Sequence, residues 1–87
     1  MEKKWVLYIL RCGDDTLYTG ITDDLQKRLL AHQEGKGAKY TRGRGPLTVV
    51  YTESCENRSE ASRREHQVKQ LTRQEKLQLI KKSGAEA

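Results

Sequence analysis

The chain of 87 residues contains no phenylalanine, and only 34% of its residues are hydrophobic. That is material for one small core, so a single domain is expected, its compact part running from about residue 4 to residue 82. No apolar run approaches the ~20 residues of a membrane span, and the start MEKKWVLYILRC lacks a small-residue cleavage site after a long apolar region. A cytoplasmic protein with no membrane partner is therefore expected. Cysteine is scarce as well. Cys12 and Cys55 are too few for a disulfide scaffold and fit no zinc spacing, so both are read as ordinary buried residues of a reducing compartment.

Charge is what the chain has in quantity: 17 Lys plus Arg against 12 Asp plus Glu, a net +5. The excess favours a polyanionic partner without separating DNA from RNA or anionic lipid. Its distribution says more. Between Lys27 and Arg44 the basic residues Lys27, Arg28, Lys36, Lys39, Arg42 and Arg44 face one acid, Glu34, and much of this stretch is the glycine-rich segment GKGAKYTRGRGP. Such backbone can approach a phosphate closely, and Tyr40 offers a stacking surface, which favours nucleic acid over a merely solvated loop. A second basic run extends from Arg58 to Lys82.

Hydrophobic patterning predicts an α+β fold in the order ββαβαα, a three-stranded and mainly antiparallel sheet flanked by helices. Trp5 to Leu10 is a continuous apolar run that reads as a central strand. Gly13, Asp14 and Asp15 supply a turn, and Leu17 to Thr22 alternates as the second strand of a hairpin. A register that sets Leu10 opposite Tyr18 also sets Tyr8 opposite Gly20 and places both phenols on one face. Thr22 or Asp23 caps a helix from about Asp24 to Glu34, with Leu25, Leu29 and Leu30 as its apolar positions and Gly35 ending it. Leu47 to Thr52 is a third strand. Asn57 or Ser59 opens a second helix with Ala61, Val68 and Leu71 on the stripe that also holds Glu65. Thr72-Arg-Gln-Glu75 matches a capping box for a third helix that docks through Leu77 and Ile80.

Several residues in this frame carry two readings. Glu65 is either a half-exposed glutamate paired with Lys69 or Arg28, or a metal ligand, since Mg²⁺ often takes one carboxylate and keeps several waters. No second carboxylate stands at a fitting spacing, which argues against a two-metal site. Arg28, on the polar side of its helix, pairs with Asp24 or grips a phosphate. His32 is a surface histidine or a proton shuttle. The two tyrosines are core residues with wet hydroxyls or members of a site.

The ordered set of these residues resembles the GIY-YIG nuclease superfamily, in particular its small single-domain bacterial members of uncharacterised role, the UPF0213 type. Val6-Leu7-Tyr8 stands where the superfamily has Gly-Ile-Tyr, and Tyr18-Thr19-Gly20 where it has Tyr-Ile-Gly. Arg28 and His32 follow at the family's helix spacing, and Arg64-Glu65-His66-Gln67-Val68-Lys69 is similar to its second motif. The glycine of the first motif is absent, and Ile21 stands where some relatives have lysine. The resemblance implies a single Mg²⁺ or Mn²⁺ held by Glu65 and phosphoryl charge stabilised by Arg28. Tyr8 is then the general base or water-positioning group, Tyr18 its supporting partner, and His32 a proton relay. Substrate contacts fall to Lys36, Lys39, Tyr40, Arg42, Arg44 and Lys69, with Gly20 as a structural element of the motif.

The function expected is a divalent-metal-dependent endonuclease hydrolysing DNA phosphodiester bonds, with branched, nicked or damaged DNA as candidate substrates and DNA ahead of RNA. No DNA-reading domain is appended within the chain, so weak sequence preference is expected. The competing readings are a non-catalytic nucleic-acid-binding module on the same scaffold and an interaction subunit that works with a protein partner.

Overall fold

The computed structural model describes residues 4–35 and 45–82. Three strands and three helices follow the expected order: β1 (Trp5–Arg11), β2 (Leu17–Thr22), α1 (Leu25–Gln33), β3 (Thr48–Cys55), α2 (Arg58–Lys69) and α3 (Arg73–Lys82). The strands form one antiparallel sheet in the order β2-β1-β3, with the apolar run of β1 at its centre. Leu7, Tyr8, Ile9 and Leu10 are all buried, as a central strand covered on both faces requires.

The hairpin register is the expected one: Tyr8 lies opposite Gly20 and Leu10 opposite Tyr18. β3 runs to Cys55, three residues past the expected Thr52, because β1 offers pairing partners as far back as Trp5. A register shift between Ile9 and Leu10 makes a bulge in β3. Val50 is the extra residue there, which lets Val49 serve one face of the sheet and Tyr51 the other.

Alternation along β1 separates two cores. Tyr8, Leu10 and Cys12 pack with Leu47, Val49 and the leucines Leu25 and Leu29 of α1. Leu7 and Ile9 pack on the opposite face with Val68 of α2, Leu71, and Leu79 and Ile80 of α3. Each fully buried aliphatic side chain contributes about 1.5–3 kcal/mol. At nine to twelve residues the helices depend on this packing rather than on their own propensity.

Helix starts are set by side chains. Asp24, rather than Thr22 or Asp23, caps α1 by accepting from the Lys27 amide at 3.1 Å, and Thr22 Oγ1 accepts from the Asp24 amide at 3.0 Å to shape the approach. Asn57 caps α2 by accepting from the Glu60 amide. At α3 the capping box is reciprocal: Thr72 Oγ1 accepts from the Glu75 amide and Glu75 Oε1 accepts from the Thr72 amide. Gly35 follows α1 at φ +78°, a left-handed conformation that terminates helices.

Two docking expectations are corrected. Leu30 is 54% exposed and Leu77 41% exposed, so neither is a core contact. Leu79 joins Ile80 on α3 instead, because the helix enters at an angle that aims this pair at Leu7 and Ile9. Among the described residues no helix is long and apolar enough to cross a membrane.

Candidate active site

The site grows from one close approach on the hairpin. Tyr8 is 1% exposed, and its ring lies across the backbone of β2 at Gly20. A Cβ at position 20 would sit 2.5 Å from Tyr8 Oη and 2.7 Å from Tyr8 Cζ, inside van der Waals contact. The glycine of Tyr18-Thr19-Gly20 therefore makes room for the phenol of the neighbouring strand.

Helix α1 supplies the polar partners. Leu25, Arg28, Leu29 and His32 fall at i, i+3, i+4 and i+7 and share one stripe. The two leucines pack on the Tyr8 core, and this carries Arg28 and His32 onto the phenols. Both sequence expectations about surface placement are thereby corrected. Arg28 lies on the sheet-facing stripe, and its guanidinium interacts with the hydroxyls of Tyr8 and Tyr18. The Asp24 carboxylate, its expected partner, caps the helix. His32 is 2% exposed, with Nε2 3.0 Å from Tyr8 Oη.

Ring geometry makes the cluster compact. The centroids of Tyr8 and Tyr18 are 6.3 Å apart, those of Tyr18 and His32 5.3 Å, and those of Tyr8 and His32 6.0 Å. Both imidazole contacts are edge-to-face, an arrangement favoured by the ring quadrupoles. An arginine can only donate, so it takes a lone pair of the Tyr8 oxygen and leaves the phenol proton to His32 Nε2.

Electrostatics fix the resting protonation states. Burial pushes the Tyr8 phenol above its ordinary value, against the downward pull of the Arg28 hydrogen bond, with further upward pushes from the neighbouring Tyr18 and the Glu65 carboxylate. Burial, and then the Arg28 charge, pull His32 below the ordinary histidine value. Hydrogen bonding to Tyr8 holds the Arg28 guanidinium more firmly protonated. At neutral pH the cluster is thus a neutral phenol between a cation and a neutral imidazole.

Glu65 reaches the same region from α2. Its charge is felt at Tyr8, and its side chain is 22% exposed and ion-paired with Lys69 Nζ at 3.2 Å. The Lys69 pairing considered from sequence is present, whereas Arg28 is engaged by the tyrosines. No group of three or more His, Cys, Asp or Glu side chains able to hold a metal occurs among the described residues. A lone carboxylate is a hard oxygen donor, which fits a hard cation that keeps most of its water shell and does not fit a closed zinc site.

The structure thus brings Tyr8, Tyr18, Arg28 and His32 together, with the charge of Glu65 felt at Tyr8. Lys69 lies beside Glu65 on α2, and Lys36, Lys39, Tyr40, Arg42 and Arg44 lie outside the described residues. Sequence reading counted Arg58 and Arg63 in the second basic run and His66 in the second motif but gave them no site role; they line a groove on the outer side of α2. Their helical spacing was a usable signal, obscured by the basic residues on every side of that helix.

Comparison with known proteins bears on the family and the fold. Residues 4–78 match the GIY-YIG catalytic domain. A UPF0213 protein of Clostridium perfringens is 60% identical over 74 residues, spanning 85% of this chain and 80% of that one. A UPF0213 protein of Oceanobacillus iheyensis is 55% identical over 92% of this chain and 93% of its own length. Among solved structures, a protein of E. faecalis superposes with a TM-score of 0.67 at 40% identity, covering 95% of this chain and 88% of that one. The UPF0213 protein of Bacillus halodurans gives 0.59 at 47% identity, covering 90% and 83%. With the two tyrosines, the arginine, the histidine and the glutamate in the family's order on the family's fold, the chain belongs to the GIY-YIG family of nuclease-type catalytic domains.

Proposed function

We propose that the protein is a divalent-metal-dependent endonuclease that hydrolyses DNA phosphodiester bonds. One observation carries the reading: the buried Tyr8 hydroxyl is shared between Arg28 and His32 and feels the charge of the Glu65 carboxylate. Glu65 is the residue to hold a single Mg²⁺ or Mn²⁺, which when bound would neutralise charge developing on the scissile phosphate.

The remaining chemistry falls to this chain's own groups. A neutral phenol whose pKa is raised is a poor standing base, so Tyr8 works as a relay. As the attacking water forms its bond to phosphorus, its proton passes to Tyr8 Oη and the phenol proton passes to His32 Nε2. The phosphorus–oxygen bond to the leaving strand breaks, and the leaving oxygen takes a proton from solvent. His32 is neutral at rest and so has a lone pair ready. Arg28 meets the phosphoryl charge, and this lessens its opposition to a protonated His32. Tyr18 holds Arg28 and packs against the edge of His32. Lys36, Lys39, Tyr40, Arg42, Arg44 and Lys69 are the proposed backbone contacts, and their chemistry suits DNA phosphates without base readout.

The Glu65–Lys69 ion pair favours a second reading, a nucleic-acid-binding module on the same scaffold whose carboxylate is already neutralised. Supercoiled plasmid and branched oligonucleotides incubated with Mg²⁺, Mn²⁺ or EDTA separate the two. Metal-dependent cutting that disappears in Glu65→Ala and Arg28→Ala is the expected result. Salt-sensitive binding with no cutting in any metal would establish the binding module. Neither binding nor cutting would point to a protein partner.

A further inference from the structure

A second surface lies beside the site and has no part in the relay. On the outer side of α2 a shallow groove is lined by Arg58, Ser59, Ser62, Arg63 and His66. Two guanidiniums, an imidazole and two hydroxyls line it, and among the described residues no acid does. Its position follows from the helical repeat. Arg58, Ser62, Glu65 and Lys69 succeed one another at i, i+4, i+7 and i+11 and form one row along α2. Ser59, Arg63 and His66 form the adjoining row toward solvent. The groove therefore begins where the Glu65 face ends.

Two further features suit it to an extended anion. The Arg58 guanidinium carbon stands 5.6 Å over the centroid of the Trp5 ring, which restrains a side chain that would otherwise sweep freely. The two acids of this segment are engaged elsewhere: the Glu60 carboxylate accepts from the Glu56 amide at 2.9 Å, and Glu65 is ion-paired with Lys69. Open shape, exposed hydroxyls and fixed positive charge fit a phosphodiester backbone passing over the surface. They do not fit a small enclosed ligand.

We infer that this α2 groove is the exit track for the DNA strand, with Arg58 and Arg63 each neutralising a phosphate beyond the one that meets Arg28 and Glu65. The assignment rests on the nuclease reading for its direction along the helix, but not for its chemistry. Counterion release gives it a quantitative signature, because each lost phosphate contact removes about 0.9 from the slope of log affinity against log salt.

Binding of the full chain to a short fluorescein-labelled DNA duplex, in EDTA and over a series of salt concentrations, reads that slope directly. The Arg58→Ala/Arg63→Ala variant is expected to lose close to two units of slope. Lys81→Ala/Lys82→Ala, which removes the same charge from the end of α3, should leave the slope as it was. Arg63→Ala/His66→Ala avoids the Trp5 contact and should lose about one unit, so misfolding around β1 cannot produce the effect. Equal losses in the groove and α3 variants would overturn the track as a property of net charge. A wild type that cuts DNA with Mg²⁺, alongside an Arg58→Ala/Arg63→Ala variant that binds like it, would overturn the track and spare the nuclease. The specific slope loss in a protein that never cuts would establish the track and end the nuclease reading. No salt-dependent binding by wild type would overturn both.

Discussion

Two sets of tyrosine, arginine and glutamate occur in the same fold, and they differ in whether the arginine and the glutamate are paired with each other. On the face of Leu7 and Ile9, the Tyr51 hydroxyl donates to Glu53, and Arg64 Nε donates to the same carboxylate at 2.7 Å. Arg64 also reaches Gln67 Oε1. Cation and acid cancel, and the hydroxyl completes the set, so the network holds α2 to β3 and offers little to a ligand. On the face of Tyr8, Arg28 is engaged by the phenols of Tyr8 and Tyr18, and Glu65 on α2 is ion-paired with the half-exposed Lys69. Among the described residues this arginine and this acid are not paired with each other. Identical residue types thus serve as a fastener where the charges close on each other and as a candidate reaction centre where they are held apart.

The comparison breaks most sharply at Tyr8. Tyr8→Phe removes the relay oxygen and keeps the ring, so plasmid cutting should fall by about 10²–10⁴-fold. Its mirror, Tyr51→Phe, should cut at the wild-type rate. Equal losses in the two variants would abolish the distinction between the faces.

Gly20→Ala should come next. Its Cβ collides with Tyr8 Oη and Cζ, and overpacking of this kind costs about 1–3 kcal/mol, read as a lower unfolding midpoint together with reduced cutting. Glu53→Gln attacks the other face. Arg64 would lose its charged partner, but both groups touch water, so about 1 kcal/mol of stability is expected to go, with cutting unchanged.

Acid titration of stability distinguishes the faces without truncating either network. The folded-state pKa of His32 is lowered, so the unfolded chain binds the proton first, and stability present above the ordinary value of 6.5 drains away as pH falls below it. At Glu53 burial raises the carboxyl, but the hydrogen bonds from Arg64 and Tyr51 prevail and its folded pKa is lowered. Its contribution is present above 4.5 and is lost as pH falls through the folded value. His32→Gln should erase the first decline and Glu53→Gln the second, as followed by urea unfolding at each pH. The smallest effect belongs to Lys69→Met. An exposed i, i+4 pair is worth only about 0.3–0.5 kcal/mol, so stability should barely move.

Where a residue's role depended on spacing within one element, it was legible in advance. The shared face of Tyr8 and Tyr18 followed from period-2 alternation once a register was assumed, and that register is present; the Thr72–Glu75 capping box followed from a four-residue pattern. Where the role depended on how a helix was rotated against the sheet, the reading drifted. Arg28 was assigned to the polar side of α1 because arginine is polar, yet it shares the stripe of Leu25 and Leu29. His32 carried a surface reading for the same reason and is buried. Leu77 of α3 was likewise assigned to the core and is exposed, whereas Leu79 packs there with Ile80.

By itself the order of residues determined the alternation of β1 and β2 and the capping box of α3, since each follows from backbone periods and hydrogen bonds a few residues long. Only the folded chain decided which tyrosine, arginine and glutamate would cancel and which would stay apart. Glu53 and Arg64 are separated by eleven positions and Tyr8 and His32 by twenty-four, and contacts at such range exist only after two elements have packed at one particular angle.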